Sequence, residues 1–314
     1  MIMNPDAKNL RRYCWNYSTL LLAILVAGQV SRAAEEPLRV TPNQVELVGN
    51  WDRAQLLVTK VDKSGQFSTS SSDATAEAKY ASSNPAVATV NERGQLVAVG
   101  NGETIVEVRV GDWRGEANVT VKDVSGDPTI QYMKQVRPIL SKAGCNMGAC
   151  HASQYGKGGF KLSVFGFEPS KDWTAMVRDQ LQRRVNFVQP DRSLLLLKPT
   201  MQIPHQGGLR LKKGSVDYQL LVAWLKSGAA KPDSKAPKVT DLQVTPTHRV
   251  IKVNGRQQLR VIATYDDDTV RDVTALAQYD SMDEGLMAVG TPHVNLLVLI
   301  ASSSFPCCSV RSSP

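Results

Sequence analysis

Through residues 37–122 apolar and polar positions alternate with a period of two, the pattern of strands buried on one face. Ile105, Val106, Val108 and Val110 run up to Gly111-Asp112, and Ala117, Val119 and Val121 follow, which predicts a hairpin. Residues 94–100 form a shorter run bracketed by Gly94 and Gly100. Several short strands with closely spaced turns predict a β-sandwich. The period changes near Gly126-Asp127-Pro128. Ile130, Met133, Val136 and Leu140 recur at near-helical spacing and predict a helix over 129–142, bent at Pro138. A second helix is predicted over 170–181, with Ser170 as N-cap and Trp173, Met176, Val177 and Leu181 on one face. A short apolar helix over 193–198 precedes Pro199, and a last one over 215–227 buries Tyr218, Leu221, Trp224 and Leu225 before stopping at Gly228. A polar linker, 231–238, then returns the chain to the two-residue period.

The returning pattern is a repeat. Leu242-Gln243-Val244-Thr245-Pro246 echoes Leu38-Arg39-Val40-Thr41-Pro42, and residues 272–281 share D-x-T-A-x-A-x-Y-x-S with residues 73–82. Past Val289-Gly290 the expected closing strands give way to an apolar run and a serine-rich tail with Cys307 and Cys308. Half a sheet module exposes unpaired edges, so residues 291–314 read as an atypical, truncated or frame-shifted end. The first-strand motif, residues 82–90 (Ser-Ser-Asn-Pro-Ala-Val-Ala-Thr-Val) and Gly94-x-Leu-Val-Ala-Val-Gly-x-Gly102 together resemble group 2 bacterial immunoglobulin-like domains. That resemblance implies an all-β sandwich over 34–125 and a partial second copy over 239–290. Such domains are strung together in bacterial surface proteins and adhesins, although the fold by itself does not establish adhesion.

The amino terminus reads as an export signal. Lys8, Arg11 and Arg12 precede an apolar run over 20–27, and Ser31-Arg32-Ala33 offers a cleavage site, making 1–33 a signal peptide. The run is shorter than the ~20 residues of a membrane span, so no transmembrane span is expected in the mature chain. Export to the periplasm or cell surface places the cysteines in an oxidising compartment. Of five cysteines, only Cys145 and Cys150 fall in the folded body. Charge is uneven as well. The chain carries a net +8, but residues 128–235 hold 17 basic against 6 acidic side chains, a surplus of 11. Such a surplus can steer an anionic partner or balance carboxylates of a cofactor. Nucleic acid is not expected, because no reading motif is present.

Cys145-Asn-Met-Gly-Ala-Cys150-His151 carries the candidate chemistry. Two thiols closed by a histidine are what covalent attachment of a c-type haem requires: each thiol adds to a vinyl group and the histidine ligates the iron. The usual spacing has two residues between the cysteines and this chain has four. Five positions along a helix rotate the side chain by about 140°, so the turn must bulge, with Gly148 as the expected site. The alternative is a Cys145–Cys150 disulfide, feasible if the turn brings the Cα atoms within ~7 Å. At this point the chain resembles planctomycete cytochrome c-like exported proteins. The matching residues are Val136-Arg-Pro-Ile-Leu140, Gly158-Gly-Phe-Lys-Leu162, Ser193-Leu-Leu-Leu-Leu-Lys-Pro199, Pro204-His205-x-Gly207-Gly208 and Trp224-Leu-Lys-Ser-Gly-Ala229. The resemblance implies haem c held by Cys145 and Cys150, with His151 as proximal iron ligand, in a small mainly α cytochrome c-like domain over 128–230. A distal Met-Pro pair, frequent in related domains, is replaced by Ile203-Pro204, leaving His205 or Met201 as the distal ligand.

The expected architecture is thus multidomain: an all-β immunoglobulin-like sandwich, a small mainly α cytochrome c-like domain, and an incomplete second immunoglobulin-like β domain. The expected function is electron transfer or redox sensing in an exported protein, with an unknown redox partner or cell-surface component as partner. A non-haem surface or adhesion protein with a Cys145–Cys150 disulfide, and the amino-terminal fragment of a larger surface protein, are the alternatives. No catalytic constellation is found: the phosphate-loop, G-x-S-x-G and H-E-x-x-H frames are all missing.

Overall fold

The computed structural model describes residues 38–61 and 67–283, with three short strands at 287–289, 296–298 and 309–311. The expected leader, 1–33, and most of the tail, 291–314, lie outside the described residues. The first β stretch contains β1 (Leu38–Thr41), β2 (Gln44–Val48), β3 (Arg53–Gln55), β4 (Leu57–Lys60), β5 (Lys79–Ser82), β6 (Ala88–Val90), β7 (Gln95–Ala98), β8 (Gly102–Val110) and β9 (Trp113–Lys122). β8 and β9 form the expected hairpin, Val110 opposite Trp113, with Gly111 at φ +59° in the turn. Alternation buries Val106, Val108, Val110, Ala117, Val119 and Val121, whereas Ile105 faces outward. One sheet has the order β2-β9-β8-β5 and a second β3-β7-β6. They share a core that includes Leu47, Leu56, Leu96 and Val119. β1 pairs with β4 alongside.

The second β stretch contains β10 (Val239–Thr245), β11 (Gly255–Gln257), β12 (Arg260–Tyr265), β13 (Val270–Asp272), β14 (Gln278–Asp280), β15 (Met287–Val289), β16 (Leu296–Val298) and β17 (Ser309–Arg311). β10-β12 repeats the β1-β4 pairing, β11-β16-β15 repeats β3-β7-β6, and β14-β17 repeats β5-β8. The tail expected to break the module therefore supplies β16 and β17. Among the described residues nothing corresponds to β2 or β9.

The repeated motif has a physical role in both copies. Asp73 Oδ1 accepts from the Thr75 amide at 3.0 Å, Thr75 Oγ1 accepts from the Val58 amide at 2.9 Å, and the Tyr80 hydroxyl donates to Thr75 O at 2.8 Å. In the second copy Asp272 Oδ1 accepts from the Thr274 amide at 3.0 Å, Thr274 Oγ1 from the Val261 amide at 2.8 Å, and the Tyr279 hydroxyl donates to Thr274 O at 3.0 Å. The remaining carboxylate oxygens are exchanged between copies. Gln55 N donates to Asp272 Oδ2 at 3.0 Å, and Gln258 N donates to Asp73 Oδ2 at 2.6 Å. The two β stretches thus dock directly, in a reciprocal arrangement.

The central stretch corrects the expected fold class. Its helices are α1 (Arg137–Lys142), α2 (Pro169–Val177), α3 (Leu194–Leu197) and α4 (Val216–Lys226), the longest 11 residues, with a π-helical turn at Tyr132–Val136. Among the described residues strand exceeds helix, and no small, mainly α cytochrome c-like domain is formed. The cause lies between the helices, where Gly144, Gly156, Gly158, Gly159, Gly166 and Gly208 take positive φ and hold the backbone in turns. α2 ends at Val177, and beyond it Gln180, Leu181 and Gln182 are all left-handed, so Leu181 is fully exposed rather than on the buried face. The π-helical turn runs on into α1 without a break, Val136 being right-handed helical, so the helix expected over 129–142 forms over 132–142 with its irregular turn just before Pro138. α4 forms as expected, with Ser215 Oγ accepting from the Tyr218 amide and Gly228 at φ +88° after its end.

Residues 37–314 form one compact unit, so the central stretch is not set apart from its neighbours. Trp51 and Leu276, one from each β stretch, pack on its apolar core around Trp224. Asp217 of α4 bridges Arg53 of β3 and Lys142 of α1, both at 2.7 Å. From the other side Gln278 Nε2 donates to Ser141 O at 2.8 Å.

Candidate cofactor site

The bulge required by the Cys145–Cys150 spacing is built by backbone bonds. α1 is capped by Ala143, and Gly144 turns the chain at φ +74° before Cys145, whose amide donates to Leu140 O at 2.9 Å. The positive φ thus falls at Gly144, not at Gly148. The loop is closed when His151 N donates to Cys145 O at 3.1 Å. This bond draws both ends of the heptapeptide together, which a regular helix could not do.

His151 is fixed by the next turn. Lys157 and Phe160 exchange amide-to-carbonyl bonds of 3.1 Å across Gly158 and Gly159, at φ +61° and +68°, the dihedral signature of a tight type I′ turn. Phe160 O also accepts from His151 Nδ1 at 3.1 Å. Gly156 must lack a side chain, because a Cβ there would meet Phe160 O at 2.2 Å. Arg184 braces the turn: it donates to Gly159 O at 2.6 Å and lies 4.8 Å over the Phe160 ring. With Nδ1 acting as donor, the free nitrogen of the neutral imidazole is Nε2. Burial holds the His151 pKa below its ordinary value, outweighing the Phe160 carbonyl, and His205 adds to the depression. The ring is therefore kept neutral, the form that ligates a metal.

A second loop faces this one. Pro199 O accepts from the amides of Arg210 and Leu211 at 2.8 and 3.0 Å, closing residues 199–211 into a compact excursion. Within it His205 Nδ1 donates to Gly208 O at 2.9 Å. The His151 and His205 rings lie 6.3 Å apart, centre to centre, with their planes 17° from parallel.

Between the loops is a cavity of about 1040 Å³, at the upper end of the roughly 300–1,000 Å³ of ligand pockets. All five residues singled out by sequence line it: Cys145, Cys150, His151, Met201 and His205. Leu162 and Leu221 contribute to its apolar wall, while Lys157, Arg183, Arg184 and Lys198 bring positive charge. The sequence reading missed these four individually, although the basic surplus of residues 128–235 was the visible signal. Both thiols are free. Burial pushes the Cys145 thiol up to about 12, with Cys150 contributing, so it stays protonated at neutral pH. Among the described residues no three His, Cys, Asp or Glu side chains form a metal-binding group. Two imidazoles alone do not complete a metal's coordination sphere, whereas a porphyrin supplies four equatorial nitrogens itself. Two sulfurs, one pre-oriented imidazole, an apolar wall and neighbouring cations are the donor set that a covalently attached porphyrin with ionised propionates uses.

No family model and no curated protein matches the chain. Solved structures with some likeness include the S-layer protein SbsC, domains 5–6, at TM-score 0.29 and 12% identity over 88% of this chain and 85% of that one. Domains 4–9 of surface layer protein SbsC align at TM-score 0.30 and 10% identity, over 88% of this chain and 27% of that one. Domains 1–6 align at TM-score 0.22 and 18% identity, over 29% of this chain, which spans only 13% of that structure. Likeness at this level assigns neither a fold nor a function.

Proposed function

We propose that the chain is an exported, surface-type protein whose central cavity carries a covalently attached c-type haem and serves electron transfer or redox sensing. The observation that carries the reading is the convergence of Cys145, Cys150 and His151 on one cavity, with His151 Nδ1 already engaged by Phe160 O. Cys145 and Cys150 would each hold the group by adding S–H across a vinyl C=C, sulfur to one carbon and hydrogen to the other, which needs no oxidant. The haem, when bound, supplies a one-electron iron couple. The chain's own residues would hold it: Cys145 and Cys150 through sulfur, His151 through Nε2 to the iron, Leu162 and Leu221 along the apolar wall, and Lys157, Arg183 and Lys198 toward the propionates. The motif resemblance to planctomycete cytochrome c-like proteins agrees with this chemistry, and the leader pattern agrees with export. No helix among the described residues is long and apolar enough to cross a membrane.

The second reading is a surface protein that carries no haem, favoured by the direct docking of two β repeats, which is a scaffold's construction. The two separate in one preparation. The mature chain, produced in a periplasm with cytochrome c maturation, is expected to be coloured and to give the alkaline pyridine spectrum of a c-type haem. A colourless protein with two titratable thiols, or with none because they are oxidised to a disulfide, overturns the haem reading.

A further inference from the structure

We propose that His205, not Met201, is the second axial ligand of the iron, so that the cavity holds a six-coordinate, bis-imidazole haem closed to exogenous ligands. The proposal rests on the haem reading and deepens it. Two imidazole nitrogens on opposite sides of one metal, each at roughly 2 Å, place their ring centres roughly 6 Å apart. The observed separation of His151 and His205 is 6.3 Å, and their planes are within 17° of parallel. Both rings spend Nδ1 on a backbone carbonyl, Phe160 O for His151 and Gly208 O for His205, which leaves Nε2 as the ligating atom of each.

The loop around His205 is shaped to hold that ring. Gly208 N donates to His205 O at 2.9 Å, closing the turn that brings Gly208 O back to Nδ1. Gly207 lies against the imidazole: a Cβ there would sit 2.7 Å from Cε1 and 3.1 Å from Nε2. Its φ is not positive, so glycine serves space here rather than backbone freedom. Met201, by contrast, is about half exposed at 47% and sits at φ +56°. A ligand must be held where the iron will be, and of the two only His205 is so held.

A bis-imidazole site has a lower potential than one with methionine, because a thioether favours the reduced iron. With both imidazoles engaged no position would stay open, which would suit the site to electron transfer rather than to binding small gases. The test uses the mature full chain loaded with haem and three variants. Wild type and Met201→Ala are expected to give the same low-spin ferric electron paramagnetic resonance signal and the near-infrared band of bis-imidazole ligation. His205→Ala, which keeps Cys145, Cys150 and His151, is expected to retain haem by mass but turn high-spin, and added imidazole is expected to return it to low-spin. His205→Met is expected to raise the midpoint potential. A low-spin His205→Ala together with a high-spin Met201→Ala overturns the ligand assignment while leaving the haem reading intact. Wild type with no haem by mass overturns the haem reading, and the ligand assignment with it.

Discussion

The docked β repeats and the central stretch treat polar groups in opposite ways. At the repeat interface Asp73 and Asp272 each satisfy their own threonine corner and then the other copy's glutamine amide. In the central stretch, buried polar atoms of Tyr132, Arg137, Asn146 and Tyr218 have no hydrogen-bond partner, against Arg93 alone in the described β stretches. Unmatched polar groups cost stability, so the central stretch gives up some of the hydrogen-bond satisfaction that the docked repeats retain.

That contrast can be broken most sharply where the two regions meet. Asp217→Ala leaves Arg53, about nine-tenths buried, without its carboxylate and frees Lys142 as well. A loss of about 3–5 kcal/mol is expected in chemical denaturation of the mature chain. A loss below about 1 kcal/mol would mean that the central stretch is not pinned through this bridge. Next in size, Asp73→Ala and Asp272→Ala should each cost about 1–3 kcal/mol, because each strands buried amide donors in both copies. Similar losses would establish that docking is reciprocal; a cost confined to one copy would make it one-sided.

Tyr80→Phe and Tyr279→Phe remove only the hydroxyl bond to the threonine carbonyl, for about 0.5–1.5 kcal/mol each. Acid gives the gentlest version of the first break. Burial opposes the Asp217 charge, but Arg53 and Lys142 outweigh it and hold the carboxyl below its ordinary value. The bridge therefore contributes fully above the unfolded carboxyl value of about 3.9 and loses its contribution as pH falls through the lower folded value. Denaturation midpoints followed downward from pH 5 should fall more in wild type than in Asp217→Asn; parallel curves would remove Asp217 from the acid response.

Sequence periodicity was legible where one face decides the outcome. The β8–β9 hairpin and the buried stripe of α4 follow from spacings of two and of three to four, and both form as read. Ile105 and Leu181 were misread because apolar character alone does not say which way a side chain faces; one follows strand alternation outward and the other sits on a left-handed turn. The docking of the repeats was not legible, although Arg-x-Gln-Leu-x-Val recurs at 53–58 and 256–261, because the bond partners lie about two hundred residues apart. All five candidate site residues were named from the sequence, since their chemistry is restrictive. Their mutual geometry depends on turns at Gly144, Gly158 and Gly159 and on a loop closed by Pro199 O, which no local period encodes.

The most direct test is the intact mass of the mature chain under denaturing conditions after production with cytochrome c maturation. The account predicts that one haem travels with the polypeptide and is lost from a Cys145→Ser, Cys150→Ser double variant. A wild-type chain at its bare polypeptide mass, or two hydrogens lighter with its sulfurs joined, would contradict it.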